Sequence, residues 1–379
     1  METNKIYLGD CLEVLKTFPD NCIDCVVTSP PYWALRDYGV EGQLGLETTF
    51  QEYIIKLCDI FDEVKRVLKD VGTCWVNLGD TYYGSGSGTQ YIASKIKQRS
   101  KCAVYMSKSL CCIPDRFKIE MINRGWICRN EIIWYKPNCM PSSAKDRFTV
   151  DFEKVFFFVK NKKYWFKTQM EPLTCPERYK NRLRNVSNID NWKRKSMKVG
   201  EAPMINPKTI EATRKRGLEK GRNKRCVWKV TTKPFTESHF ATYPEQLIEP
   251  MIKAGCPEFV CKKCGKAREP IINRIPATSK ECPKTQTAHE ARGGTGTPSG
   301  TVGKSGSGRI DGYTEHLGLT DCGCNAGFEG GTVLDPFSGA GTTCLVAKKL
   351  FRNYIGIELN GSYVKMAERR IEKECGGLF

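Results

Sequence analysis

Short apolar runs alternate with amphipathic helical stretches from one end of the chain to the other. This alternation confines the fold to an α/β class, with a mostly parallel sheet covered by helices on both faces. Lys5 to Leu8 and Ile23 to Val27 have the length and composition of strands, separated by Gly9-Asp10 and a short amphipathic stretch. A helix is expected over roughly Thr49 to Lys69. There Tyr53, Ile54, Leu57, Ile60, Phe61, Val64, Val67 and Leu68 fall at helical spacing, and Gly72 follows as a stop. A strand from Thr73 to Leu78 comes next, and Gly84-Ser85-Gly86-Ser87-Gly88 opens a flexible, Lys-rich stretch reaching to about Lys108. This stretch reads either as a lid ordered by a ligand or as a surface loop with no role. A helix from about Pro114 to Asn123 and strands near Ile127–Tyr135 and Val155–Val159 follow. After a polar middle region, a further helix is expected from Tyr243-Pro244-Glu245, with proline in its first turn. The end of the chain reads strand (Thr332–Asp335), Gly-rich turn, helix (near Thr343–Leu350), strand (Tyr354–Glu358) and helix (about Ser362–Glu374).

Composition narrows the function classes. Hydrophobic content of 40% and charged content of 27% over 379 residues belong to a soluble globular chain of two or three compact units. No apolar run approaches the length of a membrane span, and the polar start, Met1 to Tyr7, carries no secretory signal pattern. The twenty cysteines are scattered, several of them in apolar runs, as expected of a protein in a reducing cytoplasm. Charge is unevenly placed: Pro176 to Lys233 holds eighteen Lys/Arg against five Asp/Glu, most of the chain's formal +18. A basic block this dense points to a polyanion, because neutralising phosphates releases counterions.

Two turns carry the chemistry. Thr28-Ser29-Pro30-Pro31-Tyr32-Trp33 follows the strand-like run Ile23–Val27. Each proline fixes φ and removes a donor, so the turn is stiff. It presents a hydroxyl, a carbonyl and an aromatic ring in a row, which suits gripping a flat base by its exocyclic amine. The second turn, Asp335-Pro336-Phe337-Ser338-Gly339-Ala340-Gly341-Thr342-Thr343, lies between a strand and a helix. Its glycines allow close backbone approach to a ligand, and the helix start offers unpaired N–H donors. Glu358 ends the next strand, where an acid can accept from both ribose hydroxyls of a nucleoside. The turn lacks the Gly-Lys-Ser/Thr ending of a P-loop, which disfavours a triphosphate.

These residues resemble the β-group DNA amino-methyltransferases that use S-adenosylmethionine. In that family the catalytic Ser/Asp/Asn-Pro-Pro-Tyr motif precedes the target-recognition region and the Gly-rich cofactor motif comes last, as here. The resemblance covers about Lys5–Met170, Thr231–Gly255 and Gly330–Arg370. Gly9-Asp10-Cys11 looks like the strand-end acid near the cofactor adenine, and His239-Phe240-Ala241-Thr242-Tyr243-Pro244 like the segment beside its methionine end. Ile132-Ile133-Trp134-Tyr135-Lys136-Pro137 and Phe152-Glu153-Lys154-Val155-Phe156 resemble structural strands of the fold.

The resemblance implies a Rossmann-like methyltransferase sheet, circularly permuted in motif order. Its parts would be a core at 1–170, a basic target-recognition region at 171–233, a cofactor-side helix at 234–258, and the rest of the core at 330–379. Ser29, Pro30, Pro31 and Tyr32 would be catalytic. Asp10, Cys11, Phe240, Thr242, Asp335, Phe337, Ser338, Gly339, Gly341, Thr342, Thr343 and Glu358 would hold the cofactor. Hydrogen bonds from the amine to the Ser29 hydroxyl and the Pro30 carbonyl would aim its lone pair at the sulfonium methyl, and Tyr32 would stack on a base lifted from double-stranded DNA. Trp33 would either widen that platform or fill the core. Serine at the first motif position leans toward cytosine N4 over adenine N6. No Pro-Cys-Gln element of the carbon-5 cytosine enzymes occurs.

Residues 259–329 read as an insertion clipped at both ends. Cys261-Lys262-Lys263-Cys264 and Cys322-Gly323-Cys324 offer four soft ligands, the usual set for a closed zinc site, with Cys282 or His289 as a replacement for one of them. Other readings stay open: an RNA base methyltransferase, or a zinc-containing nucleic-acid binder without activity. Also open are a companion restriction endonuclease and a homodimer.

Overall fold

A computed structural model of the protein describes residues 1–83, 108–174, 221–232, 242–275 and 313–376. The candidate lid, most of the basic block, Phe240, Cys282 and His289 lie outside them. The strands are β1 (Lys5–Leu8), β2 (Ile23–Thr28), β3 (Leu68–Leu78), β4 (Ile127–Tyr135), β5 (Phe152–Val159), β6 (Met170–Glu171) and β7 (Arg222–Asn223). They continue with β8 (Val227–Lys229), β9 (Val260–Cys261), β10 (Pro270–Ile275), β11 (Tyr313–Leu319), β12 (Phe328–Glu329), β13 (Thr332–Asp335) and β14 (Asn353–Glu358). The helices are α1 (Cys11–Lys16), α2 (Phe50–Val67), α3 (Ile113–Asn123), α4 (Glu245–Gly255), α5 (Thr342–Lys349) and α6 (Gly361–Cys375).

Contacts divide the described residues into two compact units. The larger comprises 1–169, 225–268 and 321–379, and the smaller 170–224 and 269–320. The larger unit contains an eight-stranded sheet in the order β1-β14-β13-β2-β3-β5-β4-β8 and the short pair β9–β12. In the eight-stranded sheet neighbours are parallel except on either side of β5, which runs against the other strands. β8 belongs to this sheet, so 225–232 part company with the basic region in which the sequence placed them. The smaller unit holds the antiparallel pairs β6–β7, carrying an Arg222–Glu171 ion pair at 2.8 Å, and β10–β11.

Side chains alternate between the faces of the sheet, as period two requires. Val26, Val76, Phe156 and Phe158 pack with Leu15 of α1, Tyr53, Leu57 and Phe61 of α2, and Phe117 of α3. Cys25, Val27, Trp75 and Phe157 pack on the other face with Leu247 and Met251 of α4, Leu345 of α5 and Ile371 of α6. The chain leaves β2 for β3 on one side, over the α2 face. It leaves β13 for β14 on the other side, over the α5 face. The carboxyl ends of β2 and β13 therefore diverge, and a crevice opens at this switch of direction, the usual ligand position in open α/β sheets.

Several ends differ from the sequence expectation. Thr49 caps α2, its hydroxyl accepting from the Glu52 N–H at 3.2 Å, but the helix stops at Val67. Leu68 turns extended (ψ 133°) to pair with Ile23, and Gly72 lies within β3. A Cβ at Gly72 would fall 2.6 Å from Leu68 Cδ1, so glycine makes room for that buried side chain and is not the helix stop. Pro244 is the residue before α4 and not in its first turn, while Pro250 sits inside that helix.

Candidate functional site

The end of β2 is held from below. Thr28 is buried, and its hydroxyl donates to Asp335 Oδ1 at 2.6 Å, tying the carboxyl end of β2 to that of β13. The two motif turns thus begin from one hydrogen bond. Asp335 also accepts from the Phe337 N–H at 3.1 Å, and its Oδ2 from the Tyr243 hydroxyl at 2.9 Å. Burial pushes its carboxyl above the usual range, against the hydrogen bonds from Thr28 and Tyr243.

Beyond Thr28 the Pro-Pro turn is anchored by Tyr53 of α2, whose hydroxyl donates to the Pro31 carbonyl at 2.8 Å. Ser29 Oγ lies 3.4 Å from Asn77 Oδ1, a long contact. The Tyr32 ring packs on Gly79, where a Cβ would come within 2.5 Å of Tyr32 Cε2. Its hydroxyl donates to Glu153 Oε2 at 2.8 Å and lies 3.2 Å from Asn77 Oδ1. Glu153 is in turn paired with Lys136, whose ammonium sits 4.2 Å from the centre of the Trp134 ring. Burial, reinforced by the Glu153 charge, raises the Tyr32 phenol well above its ordinary value, so Tyr32 is a neutral donor. Trp33 is a core residue: it is buried, donates to the Glu47 carbonyl at 3.1 Å and meets Phe50 edge to face.

In the second turn the Gly339 N–H donates to Glu358 Oε2 at 2.8 Å, and the Asn360 N–H to Oε1 at 2.9 Å. Burial raises the Glu358 carboxyl despite these bonds. Gly341, at φ 73°, precedes α5; a Cβ there would strike Ala367 of α6 at 2.7 Å. Asp10 caps α1, accepting from Leu12 and Glu13 N–H groups at 2.9 and 3.1 Å.

These groups surround one cavity of about 880 Å³. Of the residues singled out from sequence, Asp10, Cys11, Ser29, Pro30, Pro31, Tyr32, Thr242, Phe337, Ser338, Gly339, Thr342 and Glu358 line it. Asp335, Gly341 and Thr343 stand behind the wall and build it: Thr343 Oγ1 donates to the Val27 carbonyl at 3.2 Å. Asn77, Trp134, Lys136 and Glu153 also line the cavity, although their segments read as structural strands. The register that pairs Asn77 with Val155 on one side of β5 and Trp134 with Glu153 on the other assembles them. A Lys-Pro step after a strand, and a lone acid beginning an apolar one, were the available signals. Cys11 is no nucleophile, since burial pushes its thiol up to about 12.

The paired cysteines also meet. Sγ atoms of Cys261, Cys264, Cys322 and Cys324 lie within 4.8 Å of one another. Two short strands, β9 and β12, pair Cys261 with Phe328, and Gly265 (φ 66°) closes the first knuckle by donating to the Cys261 carbonyl at 2.8 Å. Backbone N–H groups of Cys264 and Lys263 lower the Cys261 thiol, while the neighbouring sulfurs raise those of Cys322 and Cys324, so the crowded cluster favours one thiolate until a cation joins it. Among the described residues no helix is long and apolar enough to cross a membrane.

The DNA methylase family model matches residues 23–259 and 325–369. The chain is 31% identical to the type II methyltransferase M.Cfr9I of Citrobacter freundii, over 97% of this chain and 88% of that one. It is 32% identical to M.XycI of Xanthomonas campestris pv. cyanopsidis (97% and 87%) and 30% to M.SmaI of Serratia marcescens (97% and 90%). In fold it resembles the PvuII DNA methyltransferase (cytosine-N4-specific), with a TM-score of 0.50 at 17% identity over 96% of this chain and 85% of that one. Matched over most of its length in sequence, and bearing both motif turns on one cavity, the chain belongs to the S-adenosylmethionine-dependent DNA amino-methyltransferases.

Proposed function

We propose that this protein transfers a methyl group from S-adenosylmethionine to the N4 amine of a cytosine lifted out of a specific duplex sequence. One observation carries the reading most directly: the Thr28–Asp335 hydrogen bond joins the Ser-Pro-Pro-Tyr turn and the Gly-rich turn at one cavity. The donor set suits the cofactor. Glu358 and Asp10 offer acceptors for ribose and adenine, the Gly-rich turn allows close approach, and Phe337 and Leu359 add apolar wall. When bound, the cofactor supplies an electrophilic methyl group on a sulfonium.

The chain's own residues supply orientation. An exocyclic amine is a poor nucleophile while its lone pair is conjugated with the ring. Hydrogen bonds to the Ser29 hydroxyl and the Pro30 carbonyl hold the nitrogen nearer tetrahedral geometry, which localises the lone pair. Ser29 exchanges its long contact with Asn77 for the substrate. Tyr32, fixed by Gly79 and Glu153, is the stacking ring. Serine in the first motif position favours cytosine; adenine N6 presents a similar amine and is the competing outcome. The basic block, less the 225–232 stretch that joins the large sheet, serves as the target-recognition region. The four cysteine sulfurs suit one zinc ion, which would clip the chain just before β13. Labelled methyl transfer to duplex DNA, absent on RNA, supports the activity. Ser29→Ala is expected to lower turnover by about 100-fold or more, the effect of losing one oriented hydrogen-bonding group, with cofactor affinity nearly unchanged. Unchanged turnover rejects the role of Ser29.

A further inference from the structure

The loop between β4 and β5 holds the two most exposed large apolar side chains among the described residues. Phe148 is 97% exposed and Met140 88%. Burying a phenylalanine is favourable, and this loop realises none of that gain in the free protein. Yet the loop is tethered. Its neck is closed by the Lys136 N–H donating to the Asp151 carbonyl at 2.7 Å. Asn138 exchanges two 3.0 Å hydrogen bonds with Thr232. Near its crest Lys108 pairs with Asp146 at 2.7 Å, and the Arg147 guanidinium lies 3.5 Å from the centre of the Tyr82 ring. An apolar tip held out in water by a fixed stem has a partner to meet.

Place and charge identify that partner. One arm of the loop leaves the cavity wall at Lys136 and Asn138 and the other returns to it at Glu153, the residue bonded to Tyr32. The crest therefore rises from the base-gripping side of the cavity. Lys145 and Arg147 come just before Phe148 in the chain, cations suited to phosphates near an apolar insertion. A loop whose exposed apolar side chains are Phe148, Met140 and Val150, with two cations just ahead of the phenylalanine, falls short of the contiguous apolar area of a protein interface. It has the composition of a wedge that enters a base step.

Resting on the DNA-methyltransferase reading above, we propose that Phe148, supported by Met140, inserts into the duplex where the target base leaves the stack. The wedge fills the gap and keeps the base from returning. Both side chains are solvent-exposed, so the Phe148→Ala/Met140→Ala double variant should fold and bind cofactor like the parent. It is tested on two duplexes carrying the same recognition sequence, one fully paired and one with the target base opposite an abasic site. The variant is expected to lose about 10-fold or more in kcat/KM on the paired duplex, and to come within about twofold of the parent on the abasic one, where opening costs less. Pyrrolocytosine, a fluorescent cytosine analogue that pairs with guanine, should brighten less at the target position with the variant than with the parent on paired DNA. Equal losses on both duplexes, or none on either, overturn the wedge. A parent protein that methylates neither duplex overturns the DNA reading together with it, so the two failures are distinguishable.

Discussion

Glu153 touches no part of the Pro-Pro motif in sequence, yet it holds the motif's aromatic ring. The Glu153→Gln variant keeps an acceptor for the Tyr32 hydroxyl but leaves Lys136 without its counter-charge. Turnover is expected to fall by about 10-fold through loss of orientation, with cofactor affinity changed less than about twofold. Quenched-flow kinetics and equilibrium cofactor binding separate these effects; parallel loss of both would assign Glu153 a merely structural role. Ser29 and Tyr32 could be placed on the cavity from sequence because their neighbours in sequence are their neighbours in the turn. Asn77, Lys136 and Glu153 could not, since only the registers of β3, β5 and β4 bring them to the same place. Asp335 stood out for its position before a Gly-rich turn. Its burial beneath Thr28, Phe337 and Tyr243 makes it a brace for that turn, with its oxygens already engaged.

Among the elements, α4 lies so close to the sheet that one glycine sets the distance. A Cβ on Gly255 would come 2.2 Å from Thr73 Oγ1 and 2.5 Å from Trp75 Nε1, breaking the chain in which Trp75 donates to Thr73 and Thr73 to the Gly255 carbonyl. Gly255→Ala is therefore expected to cost about 1–3 kcal/mol of stability, read from urea unfolding; a wild-type midpoint would show that the helix slides away freely. Strand and helix identities at both ends of the chain followed from apolar periodicity, because each element buries one face. The early stop of α2 did not. Leu68 has the same apolar character in a helix as in a strand, and its pairing with Ile23 decides the matter. The reversed direction of β5 was equally invisible, since a buried strand carries no mark of its direction.

For the whole molecule, the linear boundaries drawn from composition and the compact units differ for a physical reason. Segments far apart in sequence form one unit: 259–268 and 321–329 join the large sheet's unit through the cysteine cluster and β9–β12, while 269–320 group with 170–224. The CxxC and CxC spacings singled out four thiols, and their convergence is a tertiary fact. One zinc per chain is expected from metal analysis of protein purified without added metal. Stripping it should lower the thermal midpoint, with re-addition restoring it, because a structural site ties metal binding to folding. Metal-free protein of unchanged stability would leave the cysteines as free thiols.

The central claim is transfer to an exocyclic amine, and the modified nucleoside tests it most directly. Duplex DNA is incubated with the protein and S-adenosylmethionine bearing an isotopically labelled methyl group, digested to nucleosides and resolved by mass spectrometry. The label is expected in N4-methyldeoxycytidine. Label in N6-methyldeoxyadenosine would overturn the choice of base, and label in 5-methyldeoxycytidine, or none in DNA, would contradict amine transfer itself.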